Sequence, residues 1–149
     1  MMRYLLDTNA VSDLIRNPHG LLAKRIGQVG ELQVCTSIIV AAELRYGAAK
    51  RASPKLTSNL EAVLNVLEIL PFEAPADETY GMLRVKLERR GTLVGANDLL
   101  IAAQALTLGY TVVTDNENEF RRIDELAVEN WLHPDGKLLD ELEREETDG

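Results

Sequence analysis

The sequence predicts an α/β fold, a three-layer sandwich with a central, mostly parallel sheet of four to five strands. Two observations carry this expectation. Short apolar runs end abruptly in polar turn residues, and longer segments with helix caps and helix-like apolar spacing separate them. Such alternation implies right-handed crossovers, a parallel sheet and helices on both of its faces.

The first strand is read over Met2 to Leu6, apolar apart from Arg3, and it stops at Asp7-Thr8-Asn9. A helix follows from about Ala10 to Arg16, closed by the breakers Asn17-Pro18-His19-Gly20. The second strand, about Leu32 to Thr36, leads into Ser37, which suits the N-cap of a helix over Ile38 to Lys50. Ser53-Pro54 opens another helix that reaches roughly Glu68, with proline at its first position. Ile69-Leu70-Pro71-Phe72 then supplies a short third strand. Ala76 to Arg90 reads as a helix that Gly91 stops, and Asn97-Asp98 opens a helix over Leu99 to Leu108 that Gly109 closes. Tyr110 to Thr114 forms the fourth strand and ends in Asp115-Asn116. A short helix around Glu119 to Ile123 and a strand around Ala127 to Trp131 complete the domain.

The chain of 149 residues is 46% apolar, enough for one domain with a sizeable core, here residues 1–132. Residues 133–149 form an acidic C-terminal tail, expected to be either a short helix with Leu138, Leu139 and Leu142 on one side or disordered. No apolar run has the roughly 18 residues of a membrane span, and the N-terminus becomes charged too early for a signal peptide. A soluble cytoplasmic protein is therefore expected. The single cysteine, Cys35, lies within an apolar stretch and fits a packed strand residue.

The net charge is −8, unlike the basic surface that usually accompanies nucleic-acid binding. Its distribution matters more than its total. The tail holds seven acids and two bases, a net −5, which leaves −3 on the rest. An RNA substrate stays compatible with that balance. Arg84, Lys86, Arg89, Arg90, Arg45, Lys50, Arg51 and Lys55 are candidate phosphate contacts, and equally candidate solvated helix faces.

In open parallel sheets, ligands bind beyond the carboxyl ends of the strands. Asp7 and Asp115 directly follow two strands, Asp98 opens a helix on the same side, and Glu43 lies about two turns into the helix after the second strand. Two unit charges about 4 Å apart repel by about 4 kcal/mol at an effective dielectric near 20, so a carboxylate cluster needs protons or a cation. With oxygen ligands and no His or Cys nearby in sequence, the fitting ions are Mg2+ or Mn2+. Hard ions held in this way activate water against phosphodiesters.

Four blocks then stand in order: Tyr4-Leu5-Leu6-Asp7-Thr8-Asn9; Thr36-Ser37 leading to Ala42-Glu43-Leu44-Arg45-Tyr46-Gly47; Gly95-Ala96-Asn97-Asp98-Leu99-Leu100; and Val112-Val113-Thr114-Asp115-Asn116 through Glu119-Phe120 to Glu129-Asn130-Trp131. Together they resemble the PIN-domain toxins of the VapC type over residues 3–132. The resemblance implies a magnesium-dependent endoribonuclease of a toxin–antitoxin pair, with a VapB-type antitoxin as partner, a homodimeric assembly and transfer RNA as the first candidate substrate. It also implies that Asp7, Glu43 and Asp98 form the metal site, with Asp7 and Asp98 the principal ligands. Thr8, Asn9 and Thr114 would orient carboxylates or water.

Where the family usually has a fourth acid, two positions after the threonine that closes strand four, this chain has Asn116. Either Asp115 serves as the fourth ligand, or three acids hold one metal. Asp-Asn after a strand is also ordinary turn chemistry. The same fold would equally serve an RNA-processing nuclease without an antitoxin, or an inactive binding scaffold. A phospho-accepting receiver domain would need paired acids near the first strand and a lysine after the last, and neither is present.

Overall fold

The computed structural model describes residues 2–133, so the expectation for the tail falls outside the described residues. Five strands form one sheet: β1 (Tyr4–Leu6), β2 (Val34–Ser37), β3 (Glu68–Leu70), β4 (Thr111–Val113) and β5 (Val128–Glu129). All pairs are parallel, in the order β3-β2-β1-β4-β5. Between them run α1 (Thr8–Arg16), α2 (Leu21–Val29), α3 (Ile38–Arg51), α4 (Pro54–Val66), α5 (Ala76–Arg89), α6 (Ala96–Leu108) and α7 (Glu117–Phe120). No helix among the described residues is long and apolar enough to cross a membrane.

Local chemistry sets most of these boundaries. Ser37 caps α3 by accepting from the Ile39 amide at 3.0 Å, and Ser53 caps α4 by accepting from Leu56 at 3.2 Å, with Pro54 at the first helical position. Gly109 ends α6 at φ +72°, a left-handed conformation that a β-carbon disfavours. Helix α2 has no counterpart in the sequence reading. It packs its buried Leu22 and Ile26, one turn apart, onto the core, but Gly20 and Gly30 bracket it and no side chain caps its start.

The connections β1–β2 and β2–β3 step one way along the sheet, whereas β4 lies on the other side of β1. Right-handed crossovers then send the two groups of helices to opposite faces. Helices α1 to α4 pack with one another, and α5 packs on α6. The reversal falls between β1 and β4, which opens a crevice beyond their carboxyl ends. Register makes the edge sharp: Leu6 pairs with both Thr36 and Val113, so Asp7 and Thr114 emerge side by side. The Asp7 amide donates to the Val113 carbonyl at 3.1 Å and holds them there.

Beneath this edge the core is continuous, with Leu5, Leu6, Val112, Val113, Ile101 and Phe120 fully buried. Cys35 is buried in β2, and burial pushes its thiol up to about 11, which keeps it unreactive. Since Leu5 sits in the middle strand, Leu5→Ala should lower unfolding free energy by about 2–5 kcal/mol. Urea denaturation followed by circular dichroism checks this, and an unchanged midpoint would contradict it.

Candidate functional site

Asp7 is 2% exposed, and it combines two roles that the sequence offers as alternatives. One carboxylate oxygen, Oδ1, accepts from the Ala10 amide at 2.8 Å and caps α1. The other, Oδ2, accepts from the buried Thr114 hydroxyl at 2.5 Å. Thr114 in turn accepts from the Asn116 amide at 2.8 Å, so the turn after β4 is fixed through the same hydroxyl. Burial is the main force raising the Asp7 carboxyl to about 6. The two hydrogen bonds oppose it, and the charges of Asp115 and Glu43 add to it.

Glu43 is half-buried on α3, one to two turns beyond β2, and its Oε1 accepts from the Thr8 hydroxyl at 3.0 Å. Thr8 is the first residue of α1, so this bond ties the start of α1 to α3. Asp98 lies in the first turn of α6, also half-buried. Its carboxyl rises to about 7. Burial is the first cause, then the hydrogen bond and charge of Glu119, then the charges of Asp7 and Glu43. Asp7, Glu43 and Asp98 therefore face one crevice within electrostatic reach of each other.

The fourth acid of the cluster is Glu119, which the sequence analysis does not single out. It faces Asp98, and its carboxyl is held below the ordinary glutamate value by hydrogen bonding with Asp98, the Gly95 amide and the Asn116 side chain and by the charge of Arg122, against the opposing effect of burial. Its Oε1 accepts from the Gly95 amide at 2.5 Å, and its Oε2 accepts from the Asn116 side-chain amide at 2.6 Å. A β-carbon at position 95 would lie 3.2 Å from Glu119 Oε1, so a larger residue there would push that carboxylate back by a few tenths of an ångström. One signal did exist: Asn116 and Glu119 have the spacing of a capping box, a pattern that reads first as helix capping.

Asp115 points elsewhere. It is exposed, its Oδ1 lies 3.5 Å from Asn130 Nδ2 and 3.8 Å from His133 Nε2, and it reaches the cluster through the field it exerts on Asp7. Asn116, at the usual fourth-acid position, supports Glu119 instead. Asn9 is exposed in the first turn of α1, and no side-chain hydrogen bond of it is found among the described residues.

The donor set is oxygen only, which matches a hard divalent cation such as Mg2+ or Mn2+. Among the described residues, no three of these acids close around a single point as they stand. Asp7, Glu43 and Glu119 are each held instead by neutral donors, the arrangement expected of like charges without a counter-ion.

A PIN-domain family model matches residues 4–126. The chain is similar to a protein named ribonuclease VapC2 from Rickettsia felis, 41% identical over 138 residues, which cover 87% of this chain and 98% of that protein. It is also similar to a tRNA(fMet)-specific endonuclease VapC from Salmonella typhimurium, 35% identical over 132 residues, 88% of this chain and 99% of that one. Among solved structures, VapBC2 from Rickettsia felis bound to a promoter DNA fragment matches with a TM-score of 0.80 at 38% identity, covering 87% of this chain and 99% of that chain. DNA-bound VapBC from Salmonella typhimurium matches with a TM-score of 0.79 at 36% identity, over 88% and 99% of the two chains.

The raised carboxyls have a consequence for stability. In buffer free of divalent ions, the folded protein keeps protons on Asp7 and Asp98 that the unfolded chain releases near pH 4. Between about pH 4 and pH 7 the folded state holds more protons, so stability falls as pH rises. Asp98→Asn should flatten that fall and raise stability near pH 7.5 by about 1 kcal/mol, after discounting for solvent around a half-buried group. Urea titrations at both ends of this window check it.

Proposed function

The chain belongs to the PIN-domain family and is a ribonuclease toxin of the VapC type, and we propose that Asp7, Glu43, Asp98 and Glu119 are its catalytic acids and take Mg2+, or Mn2+ in its place. The observation that carries this reading is the placement of these carboxylates at the switch point of the sheet, where Thr114 holds Asp7, Thr8 holds Glu43, and the Gly95 amide and Asn116 hold Glu119. A divalent cation held there supplies neutralisation of the carboxylates and Lewis-acid activation of water for attack on an RNA phosphodiester.

The protein's own residues prepare the site for that chemistry. Thr114 fixes the rotamer of Asp7 through the hydrogen bond to Oδ2. Thr8 orients Glu43 through its hydroxyl. Glu119 fastens the loop before α6 through the Gly95 amide, so Asp98 is presented by an element anchored at both the sheet edge and α7. The Asp98 carboxyl, raised first by burial and then by Glu119, would have to be deprotonated to ligate a cation, so occupancy of the site would depend on pH.

The partner is a VapB-type antitoxin, as in the VapBC complexes that this chain resembles. Transfer RNA is the proposed substrate, supported by the similarity to a tRNA(fMet)-specific endonuclease.

Asp7→Asn, Asp98→Asn and Glu119→Gln should each abolish magnesium-dependent cleavage of tRNA while the protein stays folded. Thr114→Val, which removes only an orienting bond, should slow it by about 10–100-fold. Chelation should stop the parent enzyme, and added Mg2+ or Mn2+ should restore it. Gel analysis of end-labelled tRNA reads all of these, and a folded Asp98→Asn protein that cleaves at the parent rate would refute the assignment. Expression without antitoxin should arrest growth, and co-expression should relieve it.

A further inference from the structure

A groove of about 250 Å3 runs between α1, α3 and α4 and ends at Glu43. Its floor is apolar, with Ile15, Leu44 and Leu56 only partly buried, and its rim carries Arg16 and Arg51, both exposed. Among the described residues neither arginine joins an ion pair, whereas Arg45 on the same helix as Arg51 is paired with Glu61. An open depression of about 520 Å3 at the corner of α1 and α2 shares Arg16 with the groove, and Leu132 lines it. Leu132, next to the last described residue, thus lines a depression that adjoins the groove at Arg16.

The sequence that follows has the complementary composition. Leu138, Leu139 and Leu142 stand among Asp140, Glu141, Glu143, Glu145 and Glu146, so three leucines suit the floor and the flanking acids suit the two arginines. The stretch 133–138 spans up to about 20 Å when extended, ample to carry the leucines from the depression into the groove. The relatives are matched over 98–100% of their own length by 87–89% of this chain, so about a tenth of this chain has no counterpart in them.

We propose that the acidic segment 138–146 of this same chain docks in the groove between α1, α3 and α4, with its leucines on the apolar floor and its carboxylates on Arg16 and Arg51. The docking itself is independent of the catalytic assignment.

Photocross-linking of the full chain tests the docking without metal or RNA. A benzoylphenylalanine at position 142, in an equal mixture of isotope-labelled and unlabelled protein, should cross-link within its own chain to peptides containing Ile15, Leu44 or Leu56. Arg16→Glu/Arg51→Glu should lower the yield about tenfold, with the thermal melt confirming that the variant is folded. Adding Glu143→Lys/Glu146→Lys to that variant should restore it. Cross-links to another surface, cross-links only between labelled and unlabelled chains, or a yield indifferent to charge reversal would each overturn the proposal. None of these outcomes bears on whether Asp7 and Asp98 cut RNA.

Discussion

The structure depends on the repulsion among carboxylates that the sheet forces together. Asp7 leaves the central strand at the only reversal of crossover direction, Asp98 enters from the helix on one side, and Glu43 from the helix on the other. Nothing in the apolar core beneath can neutralise them. The protein contains the repulsion with neutral donors: Thr114 and the Ala10 amide for Asp7, Thr8 for Glu43, and the Gly95 amide and Asn116 side chain for Glu119.

The same bonds do structural work elsewhere, and function is therefore hard to separate from folding here. Asp7 caps α1, Thr114 holds the turn into α7, and Glu119 joins that turn to the loop preceding α6. Register is what allows this economy. Because Leu6 pairs with Val113, a slip of one residue would send Asp7 to the opposite face and leave its carboxylate in the core.

Elements with strong local chemistry were legible from sequence. Ser37 and Ser53-Pro54 start helices α3 and α4 as expected, and the third strand, too short to assign by periodicity, pairs with β2. Helix α2 was not legible, because two buried residues between glycines give a weak periodic signal and its stability comes from tertiary packing. Of the residues named from sequence, Asp7, Glu43, Asp98, Thr8, Thr114 and Asn116 meet around the crevice, while Asp115 turns to Asn130 and His133. Glu119 escaped for a physical reason. Position along the chain placed Asp115 next to a strand end, but side-chain direction in a turn is set by hydrogen bonds that no spacing rule reveals, and those bonds bring Glu119 to Asp98 instead.

The central claim is that these acids behave as one charge-coupled unit that a divalent cation discharges. Carbon-detected NMR titration of the Asp7 and Asp98 carboxyls, with and without Mg2+, tests it most directly. The account expects midpoints near pH 6 and 7 in divalent-free protein, both moving down together when Mg2+ is added. Midpoints at ordinary aspartate values, or midpoints that Mg2+ leaves in place, would contradict it.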